Sequence, residues 1–237
     1  MPKYIEGNIF DAETQTIVNT INCDGFMGKG LAYEFKIRYP KMYEEYKEKC
    51  KNKEVEIGHP YLNKDYKRWI LNFPTKKHWK YPSKKIYIEN GLKYFRDNYK
   101  QWDIKSIAFP RLGCNLGELN WKDIKKIMEK YLEDLSFDVV IYTGGENKKP
   151  KDEEMLLNFI NKAKSDELMQ KLKISQKYAK ILKKYVEDKG VFVRLKEIKR
   201  VPRLGEKTFL KIAESLTIEN FENNKHIIRF SQNELKI

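Results

Sequence analysis

Between Ile17 and Tyr39 the chain passes from an apolar run (Ile17, Val18, Ile21) through a glycine-punctuated loop into a helical pattern. The loop reads Asn22-Cys23-Asp24-Gly25-Phe26-Met27-Gly28-Lys29-Gly30, and the helix carries Leu31, Ala32, Phe35, Ile37 and Tyr39. A buried strand feeding such a loop and helix belongs to open α/β sheets, whose ligands lie beyond the carboxyl ends of the strands. There, backbone N–H groups converge on an anion, helped by the partial positive charge of the helix start. Glycines also serve simple chain reversal, so the meaning of this loop depends on what the rest of the chain brings to it.

The rest repeats the alternation. Lys3–Phe10 reads as a first strand closing in a turn, and Thr16–Ile21 as the second. After the helix from Leu31 toward Tyr39, Pro40 is a stop, and Met42–Lys51 is a charged helix. Arg68–Phe73 is a strand expected to end at Pro74; Lys84–Tyr99 is a helix, and Ser106–Phe109 a buried strand. A second glycine-bearing loop follows, Pro110-Arg111-Leu112-Gly113-Cys114-Asn115-Leu116-Gly117, then a helix over Trp121–Leu135 and a last strand at Asp138–Tyr142. Strands alternating with helices predict a three-layer α/β domain over residues 1–150.

Gly144–Pro150 is rich in turn formers and charge, and the boundary is placed at about 145–168. Beyond it the pattern is helical: Asp152–Ala163, Asp166–Leu172, Ser175–Lys189, then Leu195–Arg200 and Lys207–Leu216. A small helical domain is expected over 168–220 and a tail over 221–237. The net charge of +14 is uneven. Lys171–Lys211 holds fourteen Lys or Arg against four Asp or Glu. That is the electrostatic footprint of a nucleic-acid partner, although a lysine-rich solvated face has the same composition.

At 41% hydrophobic residues the chain can bury a proper core, and it has no apolar run long enough to span a membrane. Met1–Glu6 lacks the apolar core of a signal peptide. Cys23, Cys50 and Cys114 are odd in number and widely spaced, which suits a reducing interior and excludes a disulfide framework and a zinc site. A cytoplasmic protein with no metal and no cofactor is expected.

Three loops leave the carboxyl ends of predicted strands: Asn19–Gly30, Pro74–Trp79 and Pro110–Gly117. Two carry glycines, so two backbone cradles can face one diphosphate. Together with Gly7-Asn8-Ile9, Asn19-Thr20-Ile21-Asn22, Met27–Ala32, Asn72-Phe73-Pro74-Thr75-Lys76 and Pro110–Cys114 form an ordered set that resembles the macrodomains, modules that bind ADP-ribose. The likeness covers roughly residues 1–145 and is strongest to the DarG branch, DNA ADP-ribosyl glycohydrolases that reverse modification by the DarT toxin.

The resemblance implies a three-layer α/β/α macrodomain with a mixed central sheet. It puts Asn8 and Ile9 at the adenine end, although many macrodomains have aspartate at the position of Asn8. It puts Asn22 on the distal ribose, and adds Asn19, Leu31 and Thr75 to the ligand site. Gly28, Lys29 and Gly30 would cradle the diphosphate from one side, and Gly113, Cys114, Asn115, Leu116 and Gly117 from the other. Lys76 matches the lysine implicated in catalysis, and Asn22 is counted with it as catalytic. A relative's second-loop aspartate is missing here, where Gly117 and Glu118 stand. Hence an alternative remains: a reader of ADP-ribose that does no chemistry. The implied partners are ADP-ribosylated DNA, free ADP-ribose and a DarT-type ADP-ribosyltransferase toxin.

Chemically, an amine near the anomeric carbon can capture the sugar cation formed when an N-glycosidic bond breaks; equally, Lys76 can pair with phosphate as a point charge. Trp79 and Tyr81 are open between stacking on DNA and packing at a core edge. Lys189–Phe209 is similar to the helix-hairpin-helix of Tex-type nucleic-acid-binding proteins. There a Pro-x-Leu-Gly hairpin aims backbone amides at a phosphate, which assigns DNA contacts to Arg203, Gly205, Lys207 and Thr208. Ser175–Lys189 reads as a degenerate first unit without the glycine hairpin.

Overall fold

The computed structural model describes residues 1–145 and 148–216; the expected tail over 221–237 lies outside the described residues. The chain divides into two compact units, Met1–Lys148 and Lys149–Ile237.

The first unit is built on six strands: β1 (Lys3–Glu6), β2 (Thr16–Asn22), β3 (Tyr61–Asn63), β4 (Trp69–Lys76), β5 (Ser106–Pro110) and β6 (Asp138–Gly144). They lie in the order β1-β6-β5-β2-β4-β3, all neighbours parallel except the antiparallel pair of β3 with β4. Four helices belong to this unit: α1 (Gly30–Arg38), α2 (Pro40–Lys51), α3 (Lys85–Asn98) and α4 (Trp121–Leu132).

Alternation along each strand makes two cores from one sheet, because successive side chains point to opposite faces. Ile17, Ile21, Ile70, Ala108 and Tyr142 pack with Phe35, Tyr39, Met42 and Tyr46 of α1 and α2. Val18, Leu71, Phe73, Ile107, Phe109 and Ile141 pack with Ile88, Leu92 and Phe95 of α3 and Ile124, Met128 and Leu132 of α4. Both faces are covered, which is why the central strands read as continuous apolar runs.

Some expectations were off. β4 does not end before Pro74 but runs on to Lys76. Proline is tolerated there because β3 reaches only as far as Asn72, leaving β2 as the partner of the last residues of β4. The edge strand β3 was not foreseen, being three residues long and without alternation. Lys3–Phe10 splits into β1 and a 3-10 turn, Ile9–Asp11. Pro40 begins α2 at the first helical position as well as closing α1.

The second unit contains α5 (Lys151–Lys162), α6 (Ser165–Leu172), α7 (Gln176–Lys189), a 3-10 segment (Leu195–Arg200) and α8 (Glu206–Glu214). Leu156, Leu157, Ile160, Leu168, Leu172, Leu182, Leu195, Ile198, Phe209 and Ile212 are buried in it. The buried Glu153 carboxylate accepts from Arg194 Nε at 3.0 Å and from the Leu195 N–H at 2.8 Å, so α5 fixes the start of the 3-10 segment.

Candidate functional site

All five mutually parallel strands point their carboxyl ends the same way, so the loops after Asn22, Lys76 and Pro110 open on one edge of the sheet. β2 lies in the middle of that edge, and the chain goes from β2 to β4 on one side and from β4 to β5 on the other. Such a reversal leaves a crevice for a ligand.

Lys76 and Asn22 are register partners on adjacent strands, and the Cys23 N–H donates to the Lys76 carbonyl at 3.1 Å. The Lys76 side chain is half-buried, and among the described residues no carboxylate lies within 4.0 Å of its ammonium.

The Asn22 amide organises the first loop. Its Oδ1 accepts from the Asp24 N–H at 2.9 Å and the Phe26 N–H at 3.4 Å, and its Nδ2 donates to the Phe26 carbonyl at 2.6 Å. The buried Tyr46 hydroxyl lies 2.9 Å from both the Asn22 carbonyl and Oδ1. The loop then enters α1 at Lys29, where no side chain caps the helix, so its first N–H groups are available to an anion. Gly28, Lys29 and Gly30 are exposed and Leu31 is half-buried.

The two glycine loops meet. Gly30 has φ +59°, and a Cβ there would stand 3.0 Å from Leu116 Cδ1. Gly28 has open space on its Cβ side. In the second loop Gly113 and Gly117 are buried, Cys114 is half-buried, and Asn115 and Leu116 are exposed. A Cβ at Gly117 would fall 2.3 Å from the Gly113 carbonyl oxygen and 2.5 Å from Ser83 Oγ. No side chain can therefore occupy position 117, and the following Glu118 is exposed on a left-handed backbone, φ +64°.

Other expected site residues also make structural contacts. Asn19 is fully buried, and its Nδ2 donates to Asn72 Oδ1 at 2.9 Å across β2 and β4. Thr75 is buried with Oγ1 3.4 Å from the Ile21 carbonyl. Asn8 caps the 3-10 turn, accepting from the Phe10 N–H at 3.1 Å, and its Nδ2 donates to the Lys148 carbonyl at 3.0 Å; Ile9 is buried beside it.

Two residues escaped sequence reasoning. Asp24 Oδ2 accepts the Trp79 N–H at 2.8 Å and lies 3.8 Å from His78 Nδ1, joining the first loop to the one after β4. Ser83 donates its N–H to the Gly117 carbonyl at 3.0 Å, joining that loop to the second cradle. Nothing in local spacing marks either one, since both act on loops distant in sequence.

Burial pushes the Cys23 thiol up to about 12 and the Cys50 thiol to about 11, so neither supplies a thiolate near neutral pH. Cys114 has its Sγ 3.4 Å from the Leu112 carbonyl.

In the second unit, Arg203 takes φ +66° at the tip of the hairpin before α8, Gly205 is the N-cap with φ +73°, and Leu204 between them is buried. Arg203, Gly205 and Lys207 are exposed, whereas Thr208 is buried. The hairpin before α7 repeats this plan thirty positions earlier. Lys173 takes φ +53°, Ile174 is buried, Ser175 is the N-cap, and buried Ala179 and Leu182 stand where Phe209 and Ile212 do. This degenerate unit lacks the glycine hairpin, and its turn is made by Lys173 instead.

Residues 18–128 match the family model of the Macro domain, and residues 159–217 that of a helix-hairpin-helix motif. The chain is 42% identical over 152 residues to a DNA ADP-ribosyl glycohydrolase of Mycobacterium tuberculosis, covering 61% of this chain and 43% of that one. It is 39% identical over 165 residues to a DNA ADP-ribosyl transferase–DNA ADP-ribosyl glycohydrolase fusion protein of Thermosipho africanus, covering 62% and 42%. The chain thus spans less than half the length of these curated relatives. Among solved structures, the macrodomain of Mycobacterium tuberculosis DarG matches with a TM-score of 0.58 at 39% identity, over 61% of this chain and 99% of that one. Thermosipho africanus DarTG in complex with ADP-ribose matches with a TM-score of 0.58 at 40% identity, over 62% and 42%.

Proposed function

This chain belongs to the macrodomain family, and we propose that it is a DNA ADP-ribosyl glycohydrolase, a cytoplasmic antitoxin that removes ADP-ribose from a DNA base modified by a DarT-type toxin. The observation that carries this reading is Lys76, half-buried at the end of β4 in register with Asn22, beside the first of two glycine loops that approach each other at Gly30 and Leu116. Support comes also from the relatives named for this activity and from the ADP-ribose complex of one of them.

In this account Gly28, Lys29, Gly30 and Leu31 at the start of α1, and Gly113 to Gly117 opposite, hold the diphosphate by backbone N–H groups. Asn8 and Ile9 shape the adenine end. Asn22 is a positioning residue that keeps the Asp24–Phe26 turn beside the distal ribose, and Asn19 and Thr75 hold β2 against β4. Lys76 is the catalytic residue. As the C–N glycosidic bond breaks, the base leaves with the electron pair and takes up a proton, and the Lys76 amine bonds to the anomeric carbon; water then releases ADP-ribose and restores the amine. In the second unit Arg203, Gly205 and Lys207 grip the DNA backbone, while buried Thr208 supports the helix start.

Incubation with an ADP-ribosylated oligonucleotide tests this. Catalytic release of free ADP-ribose is expected over many turnovers. Saturation at one ligand per chain without release is the behaviour of a reader and would sink the enzymatic reading.

A further inference from the structure

Three of the most exposed large apolar side chains of the first unit gather beside Lys76: Phe26 is 58% exposed, Trp79 49% and Tyr81 66%. The ring centroids of Phe26 and Trp79 are 6.2 Å apart, His78 stacks on Trp79 at 6.0 Å, and Tyr81 lies 5.2 Å from His78. The four rings are one continuous surface contributed by two loops.

That surface is held from beneath. Asn22 grips the Phe26 backbone at both its N–H and its carbonyl. Asp24 accepts the Trp79 N–H, His78 Nδ1 accepts the Lys80 N–H at 3.2 Å, and the Tyr81 N–H donates to the His78 carbonyl at 3.2 Å. Ser83 pins the end of the loop to Gly117. A backbone held in this way need not be ordered when a ligand covers the rings, which lowers the cost of binding. Apolar rings left in water on a rigid loop mark a contact surface.

The charge around them says what covers it. Residues 76–85 carry Lys76, Lys77, Lys80, Lys84 and Lys85 and no acid. Of these, Lys85 is paired with Asp123, and Lys80 Nζ stands 5.3 Å from the centre of the Trp79 ring. Flat π faces interleaved with cations fit a chain of bases on a phosphate backbone. A base can lie on Trp79 only when it is out of a duplex stack, which a single strand offers without the cost of unpairing.

We propose that Phe26, Trp79 and Tyr81 form a stacking platform for bases of single-stranded DNA next to the nucleotide whose ADP-ribose bond Lys76 cleaves. This rests on the glycohydrolase reading above and adds the residues that hold the bases flanking the modified nucleotide.

The test uses the full chain with two substrates, an ADP-ribosylated single-stranded oligonucleotide and an ADP-ribosylated mononucleoside. Trp79→Ala is expected to raise KM for the oligonucleotide about tenfold, the scale of one lost stacking contact. It should leave kcat, and kcat/KM for the mononucleoside, within about twofold of wild type. Tyr81→Ala should act in the same direction, and Trp79→Phe should restore most of the loss. Making the neighbouring nucleotides abasic should cost the wild type as much as the substitution does and cost Trp79→Ala little more. Separately, an unmodified single-stranded oligonucleotide should quench tryptophan fluorescence, and Trp79→Phe should abolish most of that quenching.

An oligonucleotide KM unchanged in both alanine variants overturns the platform. So does quenching undiminished in Trp79→Phe, or quenching by a polyglutamate peptide as strong as by DNA. If wild type releases nothing from either substrate, the glycohydrolase reading fails, and the quenching still decides the platform.

Discussion

In the first unit the loops proposed to hold phosphate come from strands some eighty residues apart, and each is closed by contacts to another: Gly30 against Leu116, Asp24 to Trp79, Ser83 to Gly117. In the second unit each hairpin is local, an exposed basic residue in left-handed conformation, one buried aliphatic and a helix start, and the plan occurs twice, thirty positions apart. The first design suits the proposed enclosure of a ligand whose shape the loops select. The second leaves its tips in solvent and suits a backbone gripped without regard to sequence. One chain thus holds a site that depends on long-range closure beside one that depends only on its own turn.

That contrast is most sharply broken at Gly117. Its Cβ would strike the Gly113 carbonyl, so Gly117→Ala should cost the first unit about 3 kcal/mol and remove measurable ADP-ribose binding. Calorimetric unfolding and titration with ADP-ribose check this; DNA affinity through the second unit should stay near wild type. Ending the chain after Lys148 is the converse experiment. Affinity for unmodified DNA should fall about a hundredfold at low salt, while ADP-ribose affinity stays within about twofold. Equal DNA binding by the shortened chain would contradict the role given to the basic hairpins.

Arg203 offers a finer test, because its two roles have opposite signs. A non-glycine residue at φ +66° is strained, so Arg203→Gly should stabilise the second unit by about 1 kcal/mol. The same change should weaken DNA binding several-fold and lower its salt dependence by about one phosphate contact. Weaker DNA binding together with lower stability would show a packing role instead.

The smallest expected effects separate the units by pH. Cys23 and Cys50 have thiols raised by burial, so the folded first unit binds protons that the unfolded chain loses above its ordinary thiol range. Its stability should therefore decline as pH rises from about 9 toward 12. The second unit has no cysteine. There Glu197 is held below its usual range by the Val193 and Arg194 N–H groups, so that contribution should fade as pH falls through the carboxylate range. Melting each unit across pH by circular dichroism reads both trends.

How much of this was legible follows from the range of each interaction. Strand alternation and helix period are local, so the layers of the first unit could be read from Ile17, Val18, Phe95 or Met128 one at a time. The glycine loops at the carboxyl ends of β2 and β5 were legible because they form ordered motifs. Asp24 and Ser83 were not, since each bonds a backbone group on a loop far away in sequence. Pro74 misled because proline usually ends a paired strand, and only the shortness of β3 makes room for it. Asn19 is expected at the ligand because of its neighbours, and the cross-strand bond from its Nδ2 to Asn72 is not legible because the two lie on separate strands. The first hairpin of the second unit was legible only as a degenerate unit, because Lys173 and Ser175 do the work of the glycines.

The central claim is that Lys76 does chemistry rather than merely attracting phosphate, and Lys76→Arg separates the two. Arginine keeps the positive charge but stays protonated, so it can neutralise a phosphate and cannot attack carbon. Single-turnover release of ADP-ribose from an ADP-ribosylated single-stranded oligonucleotide should fall about a thousandfold or more in this variant, with ADP-ribose affinity near wild type. Release within about tenfold of wild type would contradict the account and reduce Lys76 to a point charge.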